Sequence, residues 1–298
     1  MLEVPKVSGD SLSLIVVTDA EEGPDFLKRA EKLMGETLTR RAQALRDFRR
    51  KLAMVEEFTP KVDDDRFLLR FLRARKFNVE KAYKLMCNFY KVRLQNPTLY
   101  VPVGMGPRDF AQLYDLQCGT ILKHRNPRDG TAVIICRFGK WRPSTGHGPL
   151  DIYTPAVYAG ELVMDLPEVQ LNGFTVIIDL QGLEYSWLIR YVTPDYISQM
   201  LGFAQESYPL SIKKVHIVNQ SYLWNIGFAI GKSFVPPKLR NRYYLHGSNM
   251  ASLHEYIPRE ILPEEYGGLT GPLDFWFLPE LYAMHDRIVE NSYYGYDV

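Results

Sequence analysis

Short β-rich runs in the second part of the chain, the later ones almost continuously apolar, constrain its fold more than any other sequence feature. A strand that is apolar on both faces has to be buried on both, and stretches long enough for helices separate these runs. The combination is typical of a mostly parallel sheet covered by helices, which predicts an α/β layer domain. The runs are TAVIICRF at 131–138, FTVIIDL at 174–180, VHIVN at 215–219 and YYLHG at 243–247.

The first strand of the sheet is predicted to pair differently from the others. TILKH at 120–124 and the run at 131–138 flank NPRDG at 126–130, a stretch of turn-forming residues. Two strands joined by so short a turn form an antiparallel hairpin, whereas parallel neighbours need a longer crossover connection.

The chain before the sheet has a helical pattern. From Asp25 to about Gln95, apolar residues recur at spacings of three, four and seven, as they do on one face of a helix. The aspartates at 63–65 can cap a second helix and Asn78 can cap a third. Three prolines and two glycines at 96–107 then mark a boundary.

The end of the chain is aromatic and acidic, and we predict one helix on the surface there, at about 274–290. The patterns together divide the chain into four parts. These are an N-terminal segment at 1–24, a helical domain at 25–97, an α/β domain at 98–270 and a C-terminal helical, acidic tail at 271–298.

The composition excludes several classes of protein. A chain of 298 residues with 46% apolar content can bury a sizeable core, and a pI near 7.7 argues against a general nucleic-acid binder. Cys87, Cys118 and Cys136 are too few for a disulfide framework, so we expect a reducing compartment. SLSLIVV at 11–17 is a poor secretory signal, and no apolar run reaches the roughly 18 residues that a bilayer demands. We therefore expect a soluble, cytoplasmic protein.

Positive charge is concentrated in one stretch of a chain whose formal net charge is only +1. No acidic residue occurs from Ser207 to His254, whereas nine acidic and two basic residues follow from Glu255 to the end. A run of like charges is usually solvated surface, but this one adjoins an unusually apolar helix, which favours an anionic partner. The cations in the acid-free stretch are Lys213, Lys214, Lys232, Lys238, Arg240 and Arg242.

The adjoining helix, QSYLWNIGFAIGKSFV at 220–235, is apolar nearly all round. Such a helix is either buried in a large core or faces lipid or a ligand on its second side. Lys232 and the cations that follow place its C-terminal end at the surface. Gly227 and Gly231 each cost about 1 kcal/mol relative to alanine inside a helix, and room for a ligand would explain them.

A second apolar segment, GLEYSWLIRYVTP at 182–194, follows the strand FTVIIDL at a place where a loop is expected. Loops normally run over the surface, and exposed apolar clusters tend to be binding or membrane surfaces. The alternative is that this segment folds back into the core, and the sequence leaves both interpretations open.

The motifs of common enzymes are incomplete or absent. GKS at 231–233 lacks the first glycine of a phosphate loop, because Ile226 stands at that position. The dinucleotide, zinc-protease and serine-hydrolase motifs do not occur, and the six histidines do not pair at metal-ligand spacing. Asp179, at the end of an apolar strand, is interpreted as organising the next loop through a hydrogen bond. We therefore predict a binding protein without catalytic residues, metal or cofactor.

Five motifs occur in an order and spacing similar to those of one known family. They are RFLRARKF at 70–77, NGFTVIIDLQG at 172–182, VHIVNQ at 215–220, LHGSNMASLHEYI at 245–257 and ILPEEYGG at 261–268. Over roughly residues 25–270 they resemble the CRAL-TRIO lipid-binding family, in the branch of the α-tocopherol transfer protein, cellular retinaldehyde-binding protein and the clavesins. The resemblance implies a helical N-terminal domain followed by an α/β lipid-binding domain. In that domain a mostly parallel sheet is the floor of a pocket, and residues 220–235 are its helical lid.

The resemblance also implies which residues line the pocket. Gly160, Gly227 and Gly231 would widen the cavity, so a bulky or rigid ligand such as a tocopherol, a retinoid, a prenyl or a sterol-like lipid is expected. The pocket positions are Tyr153, Ala156, Val157, Gly160, Phe174, Val176, Val192, Met200, Phe203, Tyr208, Leu210 and Val215, and the lid positions that face them are Trp224, Phe228, Gly231 and Val235.

In the same branch, basic residues beside the lid hold a phosphoinositide head group. This sequence departs from the branch at Ser211, where relatives often carry a cation, and at Pro236 and Pro237, which replace a helical link. The implied head-group residues are Arg75, Lys213, Lys232, Lys238, Arg240 and Arg242, and the residues expected to enter the membrane interface are Trp187, Leu188, Leu223 and Ile230.

The resemblance allows more than one function. The first is an intracellular carrier that transfers a hydrophobic ligand at phosphoinositide-containing membranes, to which it attaches reversibly on endosomes or other organelles. The second is a clavesin-type trafficking adaptor that binds phosphoinositides without obligatory cargo. Phospholipid exchange is a third, and a lipid hydrolase or isomerase is disfavoured because no nucleophile and base are present as a set.

Overall fold

Four helices form the N-terminal part of the protein. The computed structural model describes residues 16–17, 22–95, 102–140, 153–184, 193, 202, 207–209, 211–222, 224–225 and 240–296. The helices are α1 (Pro24–Met34), α2 (Leu38–Leu52), α3 (Asp65–Ala74) and α4 (Val79–Gln95).

The caps of two of these helices confirm the sequence prediction. The carboxylate of Asp64 accepts hydrogen bonds from the backbone N–H groups of Arg66 and Phe67 at the start of α3. The side chain of Asn78 accepts one from the backbone N–H of Lys81, at 2.9 Å, at the start of α4. Both side chains satisfy backbone donors that have no partner within the helix.

A five-stranded sheet forms the centre of the second part. The strands are β1 (Gly119–Ile121), β2 (Ala132–Arg137), β3 (Phe174–Asp179), β4 (Ile212–Val218) and β5 (Tyr243–Gly247). The described helices around them are α5 (Ala111–Tyr114), α6 (Tyr153–Met164), α7 (Pro167–Asn172), α8 (Met250–His254), α9 (Leu278–Ala283) and α10 (His285–Ser292).

The strands lie side by side in chain order, β1 to β5. β1 pairs with β2 antiparallel, and the other three pairs are parallel, which confirms both the hairpin and the mostly parallel sheet. The turn of the hairpin closes when the backbone N–H of Gly130 donates to the carbonyl oxygen of Asn126 at 2.7 Å. Gly130 has φ +73°, a conformation that glycine adopts without steric cost.

Both faces of the sheet are covered. One face carries Val133, Ile177 and Val218, which pack against Leu253 of α8 and Ile257 after it. The opposite face carries Phe174, Val176 and Ile178 of β3, because successive residues of a strand point to opposite sides. α6 and α7 pack on this second face, which we call the α6 face.

The C-terminal tail differs from its prediction. We predicted one surface helix at about 274–290, but two helices occur, with a break at Met284, where the backbone leaves the helical conformation (φ −85°, ψ 2°). Phe277 and Leu281 are completely buried, and Ile288 is nearly so. All three residues pack into the main core despite the acidic composition of the segment.

Ion pairs join the helical part to the α/β part. The guanidinium of Arg70 on α3 contacts the carboxylates of Glu161 and Asp165 on α6 at 2.7 and 2.6 Å. Arg73 on the same helix pairs with the buried Glu36 and also donates to the side chain of Gln170 on α7 at 2.7 Å. Two of the arginines in RFLRARKF therefore hold the two parts of the protein together.

A buried histidine pair links the last two strands. Nδ1 of His216 on β4 lies 2.9 Å from Nε2 of His246 on β5, and Nδ1 of His246 lies 2.6 Å from the hydroxyl of Ser252. The pKa of His216 is lowered to about 3, mainly by burial and to a smaller extent by the neighbouring His246 and Lys214, whereas Asp129 acts in the opposite sense. His216 is therefore neutral in the folded protein at physiological pH.

Replacing Arg70 should destabilise the fold strongly. In Arg70→Met, Glu161 loses this partner and Asp165 keeps only a longer contact with Arg287, at 3.6 Å. Unpairing largely buried carboxylates in this way costs about 3 kcal/mol in the free energy of unfolding. Urea unfolding at pH 7 measures the change. Arg50→Met is the matched control, since Arg50 is exposed and its pair with Asp47 is long at 3.6 Å, so a change below about 0.5 kcal/mol is expected. Equal losses in the two variants would contradict the assigned role of Arg70.

Acid should destabilise the sheet through His216. The folded-state pKa of about 3 lies below the ordinary histidine value, so the unfolded chain binds the additional proton. The stability is complete above about pH 6.5 and falls as the pH decreases toward 3, by about 2 to 3 kcal/mol at pH 4.5. Urea unfolding across this range should show a shallower dependence for His216→Gln, which has no ionisable group. Identical slopes in the two proteins would show that His216 is not the titrating group.

Candidate functional site

A row of apolar side chains crosses the α6 face of the sheet. Ile134, Val176, Val215 and Tyr243 are successive partners across β2, β3, β4 and β5. Neighbouring strands in a sheet lie about 4.8 Å apart, so these four side chains form a continuous surface. Val176 and Val215 are two of the residues predicted to line a pocket, and the sheet brings them directly side by side.

Trp224 packs on this row. It contacts the apolar cluster of Leu180, Val215 and Ile217, against which Val176 also packs. The indole Nε1 of Trp224 is buried and has no hydrogen-bond partner among the described residues. A buried donor without an acceptor costs about 1 to 3 kcal/mol, which makes this N–H a natural contact for an oxygen atom of a bound ligand.

The predicted pocket residues of α6 surround Tyr208. The hydroxyl of Tyr208 donates to the carbonyl oxygen of Val157 at 3.2 Å. A Cβ atom placed on Gly160 would lie 3.3 Å from the same hydroxyl, so Tyr208 occupies the space that this glycine leaves. Val157, Tyr208 and Phe174 are buried in the main core, and Ala156 is half-buried beside them.

The structure therefore brings eight predicted pocket residues into two neighbouring groups on one face of the sheet. The other predicted residues lie outside the part of the chain that the structure describes, or have a side chain that does. They are Tyr153 (side chain only), Val192, Met200, Phe203, Leu210, Phe228, Gly231 and Val235 of the pocket, Trp187, Leu188, Leu223 and Ile230 of the membrane set, and Lys232 and Lys238 of the head-group set.

Two predicted head-group residues meet where β4 and β5 begin. Arg242 donates from Nη1 to the carbonyl oxygen of Ile212 at 2.6 Å, which places its guanidinium beside Lys213. Partial shielding of the Lys213 ammonium from water lowers its pKa, and the charges of Arg242 and Lys76 lower it further, although the residue as a whole is exposed. Lys213, Arg242 and Lys76 therefore lie close together, and we call this group the cationic edge.

Lys76 is the member of this edge that the sequence interpretation missed. It follows Arg75 in the motif RFLRARKF, so the additional cation was visible, but nothing in the sequence showed that α3 ends beside β4. Arg75 is half-exposed, and its Nη1 donates to the carbonyl oxygen of Ala74 at 3.3 Å. Arg240 is also half-exposed and lies just before β5.

Asp179 has the role that the sequence suggested. One of its carboxylate oxygens accepts from the backbone N–H of Gln181 at 2.9 Å and from the side chain of Asn219 at 2.8 Å. The other accepts from the hydroxyl of Tyr266 at 3.0 Å. The carboxylate thus holds the backbone of the following loop and two neighbouring side chains in place, which confirms the prediction of a loop-organising carboxylate.

Among the described residues, none of the helices combines the length and the apolar character that crossing a bilayer requires.

Comparison with known proteins agrees with this architecture. Residues 116–268 match the family described as CRAL/TRIO domain, and residues 26–88 match the CRAL/TRIO N-terminal domain. The crystal structure of Sfh5 superposes with a TM-score of 0.53 at 14% identity, covering 91% of this chain and 99% of that one. At so low an identity the superposition shows a shared fold and nothing about the ligand.

Two groups of curated relatives are similar in sequence. Alpha-tocopherol transfer protein-like from Mus musculus is 37% identical over 239 residues, which are 79% of this chain and 66% of that protein. Clavesin-2 from Mus musculus is 30% identical over 233 residues, which are 77% of this chain and 69% of that protein. The matched region thus spans about two thirds of the length of these relatives. The chain belongs to the CRAL-TRIO family of lipid-binding proteins, which are typically not enzymes.

Proposed function

We propose that this protein is an intracellular carrier that binds one small hydrophobic ligand on the α6 face of its sheet and transfers it at phosphoinositide-containing membranes. The observation that carries the proposal is the position of Trp224. It packs on the row of Val176 and Val215 with its indole N–H buried and unpartnered among the described residues.

That geometry favours a particular ligand class. The row of aliphatic side chains suits a large apolar body, and the unpartnered N–H suits one oxygen acceptor such as a hydroxyl or a carbonyl group. Tocopherols, retinoids and similar lipids combine these features. A protein similar to this one is named as a tocopherol transfer protein-like protein, which supports the proposal for this chain.

A lid over the pocket is a physical requirement of such a carrier. Each methylene group exposed to water opposes transfer by about 0.8 kcal/mol, so the ligand has to travel enclosed and the lid has to open at the membrane. In the proposal, residues 220–235 form this lid, and Trp187, Leu188, Leu223 and Ile230 enter the interface. The membrane favours opening only if it binds the open state more tightly than the closed state.

The cationic edge supplies the membrane attachment in this proposal. Each cation near an anionic membrane surface contributes about 1 kcal/mol, so four of the six cations assigned to this site would give about 4 kcal/mol, a weak and reversible attachment. Lys213 and Arg242 stand together, and Arg75, Lys232, Lys238 and Arg240 are assigned to the same site by the resemblance to the family. We place the protein in the cytoplasm, peripherally bound to endosomes or other phosphoinositide-bearing organelles.

The carrier should copurify with its cargo. Native mass spectrometry of protein from its own cells, followed by organic extraction, should show a single lipophile at a one-to-one ratio. An empty protein that still binds phosphoinositide vesicles would instead support the hypothesis of a clavesin-type adaptor. The 30% identity to clavesin-2 is the observation behind that hypothesis.

Trp224→Phe refines this prediction. Phenylalanine keeps an aromatic ring on the row but removes the indole N–H, so a ligand that accepts a hydrogen bond there loses about 1 kcal/mol, or about fivefold in affinity. The comparison uses the lipophile extracted from the unmodified protein, in a titration of both proteins. An unchanged affinity would show that the N–H does not contact the ligand.

Neutralising the cationic edge should weaken membrane binding. The double variant Lys213→Ala, Arg242→Gln removes about 2 kcal/mol of attraction, which corresponds to about thirtyfold weaker binding to phosphatidylcholine vesicles that contain a phosphatidylinositol bisphosphate. Cosedimentation at constant ionic strength measures the binding. Lys81→Ala, Lys84→Ala is the matched control, since both residues are exposed on α4. If vesicle binding and ligand transfer are the same in the two double variants, the proposed attachment is wrong.

A further inference from the structure

Five aromatic rings form a continuous chain from the C-terminal tail to the predicted pocket. The centroids of successive rings are 5.1, 5.2, 5.3 and 6.1 Å apart. These separations fall in the range of about 4.5 to 7 Å that aromatic pairs prefer. In order, the rings belong to Tyr296, Phe58, Tyr90, Phe89 and Tyr208, and we call them the aromatic chain.

The middle of the aromatic chain runs through the helical part of the protein. Phe58 lies between α2 and α3, and Phe89 and Tyr90 lie on α4. All three residues are at most 5% exposed. Phe67 and Phe71 of α3 also pack against the ring of Phe89, at centroid distances of 6.3 and 5.5 Å. Side chains in so closely packed an interior have little room to move independently of one another.

Backbone hydrogen bonds hold the tail end of the aromatic chain in place. The N–H of Thr59 donates to the carbonyl oxygen of Gly295 at 2.7 Å, and the N–H of Gly295 donates to the carbonyl oxygen of Thr59 at 2.9 Å. Gly295 has φ +131°, and a Cβ atom there would lie 3.0 Å from Cδ1 of Tyr90. A glycine meets both requirements at no steric cost. The backbone at this position therefore sets the ring of Tyr296, the next residue, against Phe58.

The other end of the aromatic chain is part of the predicted pocket wall. The ring of Tyr208 contacts Phe89 from the α/β side, and its hydroxyl donates to the carbonyl oxygen of Val157 at 3.2 Å. A Cβ atom on Gly160 would lie 3.3 Å from that hydroxyl and 3.7 Å from Cε1 of the same ring. The position of the Tyr208 ring therefore sets the room that is left beside α6.

We propose that Tyr296 is a positioning residue for the ligand pocket. Through the aromatic chain it holds Tyr208 against Gly160 and so limits the width of the ligand that fits beside α6. The physical reason is packing, because the loss of one ring from a close-packed series leaves a space into which its neighbours shift. The inference rests on the proposed function in taking the α6 face as the ligand site.

A double-mutant cycle on the protein without ligand tests the coupling between the two ends. Tyr208→Phe removes only the hydroxyl, and it should raise the unfolding constant about fivefold when the ring is held in place. In Tyr296→Leu the ring is held less well, so the same change should raise the constant only about twofold. Urea unfolding of the four proteins at pH 7 measures both factors.

Tyr293→Leu is the matched control for this cycle. Tyr293 belongs to the same segment as Tyr296, but it is 66% exposed. The fivefold effect of Tyr208→Phe should therefore persist in Tyr293→Leu. The proposal is overturned if Tyr208→Phe has the same effect in Tyr296→Leu as in the unmodified protein. It is also overturned if the effect falls equally in Tyr293→Leu, since any change in the tail would then suffice.

Two probes of different width test the role in ligand selection. α-Tocopherol has a head of two fused rings, whereas cholesterol has a rigid body of four. Titration with each probe gives a ratio of affinities, and Tyr296→Leu should shift this ratio at least about threefold toward cholesterol because the wall beside α6 is less well held. Tyr293→Leu should leave the ratio as it is in the unmodified protein. An unchanged ratio in Tyr296→Leu would show that Tyr296 does not limit the width of the ligand.

The outcomes separate this inference from the proposed function. If neither probe binds to the unmodified protein, the carrier proposal fails for these two lipids, while the cycle on the protein without ligand still decides whether Tyr296 positions Tyr208. If the probes bind but the cycle shows independent effects of Tyr296 and Tyr208, the positioning role is wrong and the carrier proposal stands.

Discussion

The contact between Arg70 and the two carboxylates of α6 is the constraint on which the rest of the architecture depends. A buried guanidinium is tolerated only when carboxylates meet it in good geometry, and Glu161 and Asp165 are supplied by the other part of the chain. The helical part and the α/β part therefore have to dock in one orientation. Because Val157 and Gly160 lie on the same helix as these carboxylates, the docking also fixes the wall around Tyr208.

The strands were predictable because a buried parallel strand leaves a continuous apolar pattern. β5 has the predicted bounds, Tyr243–Gly247, and β3 differs from its prediction by one residue. β4 begins at Ile212, three residues before the predicted start. The prediction missed its first three residues because they include Lys213 and Lys214 and are exposed or only partly buried. There the pattern is polar, and the hydrogen bonds of the ladder alone define the strand.

The C-terminal tail was predicted less well, for a different reason. Its acidic residues led to the prediction of a surface helix, although Phe277, Leu281 and Ile288 among them pack into the main core. Composition averages over all faces of a helix, whereas packing depends on one face. The periodicity of the aromatic and aliphatic residues was the better guide in this segment.

The site was predictable in part. Val176 and Val215 followed from the family resemblance, and the parallel register makes them neighbours. Lys76 could not be found in this way, because its proximity to Lys213 depends on how a helix end from one part docks beside a strand from the other. Sequence periodicity describes a single element, and it contains no information on that docking.

One strand connects the two ends of the proposed mechanism. β4 carries Lys213 at the cationic edge and, two residues later, Val215 under Trp224. A strand held by ladders on both sides is rigid, so it fixes the distance between the two sites but has no second state with which to couple them. Coupling needs an element with two arrangements that both ligands bias. If a membrane releases the ligand, the second arrangement must therefore belong to an element outside the sheet.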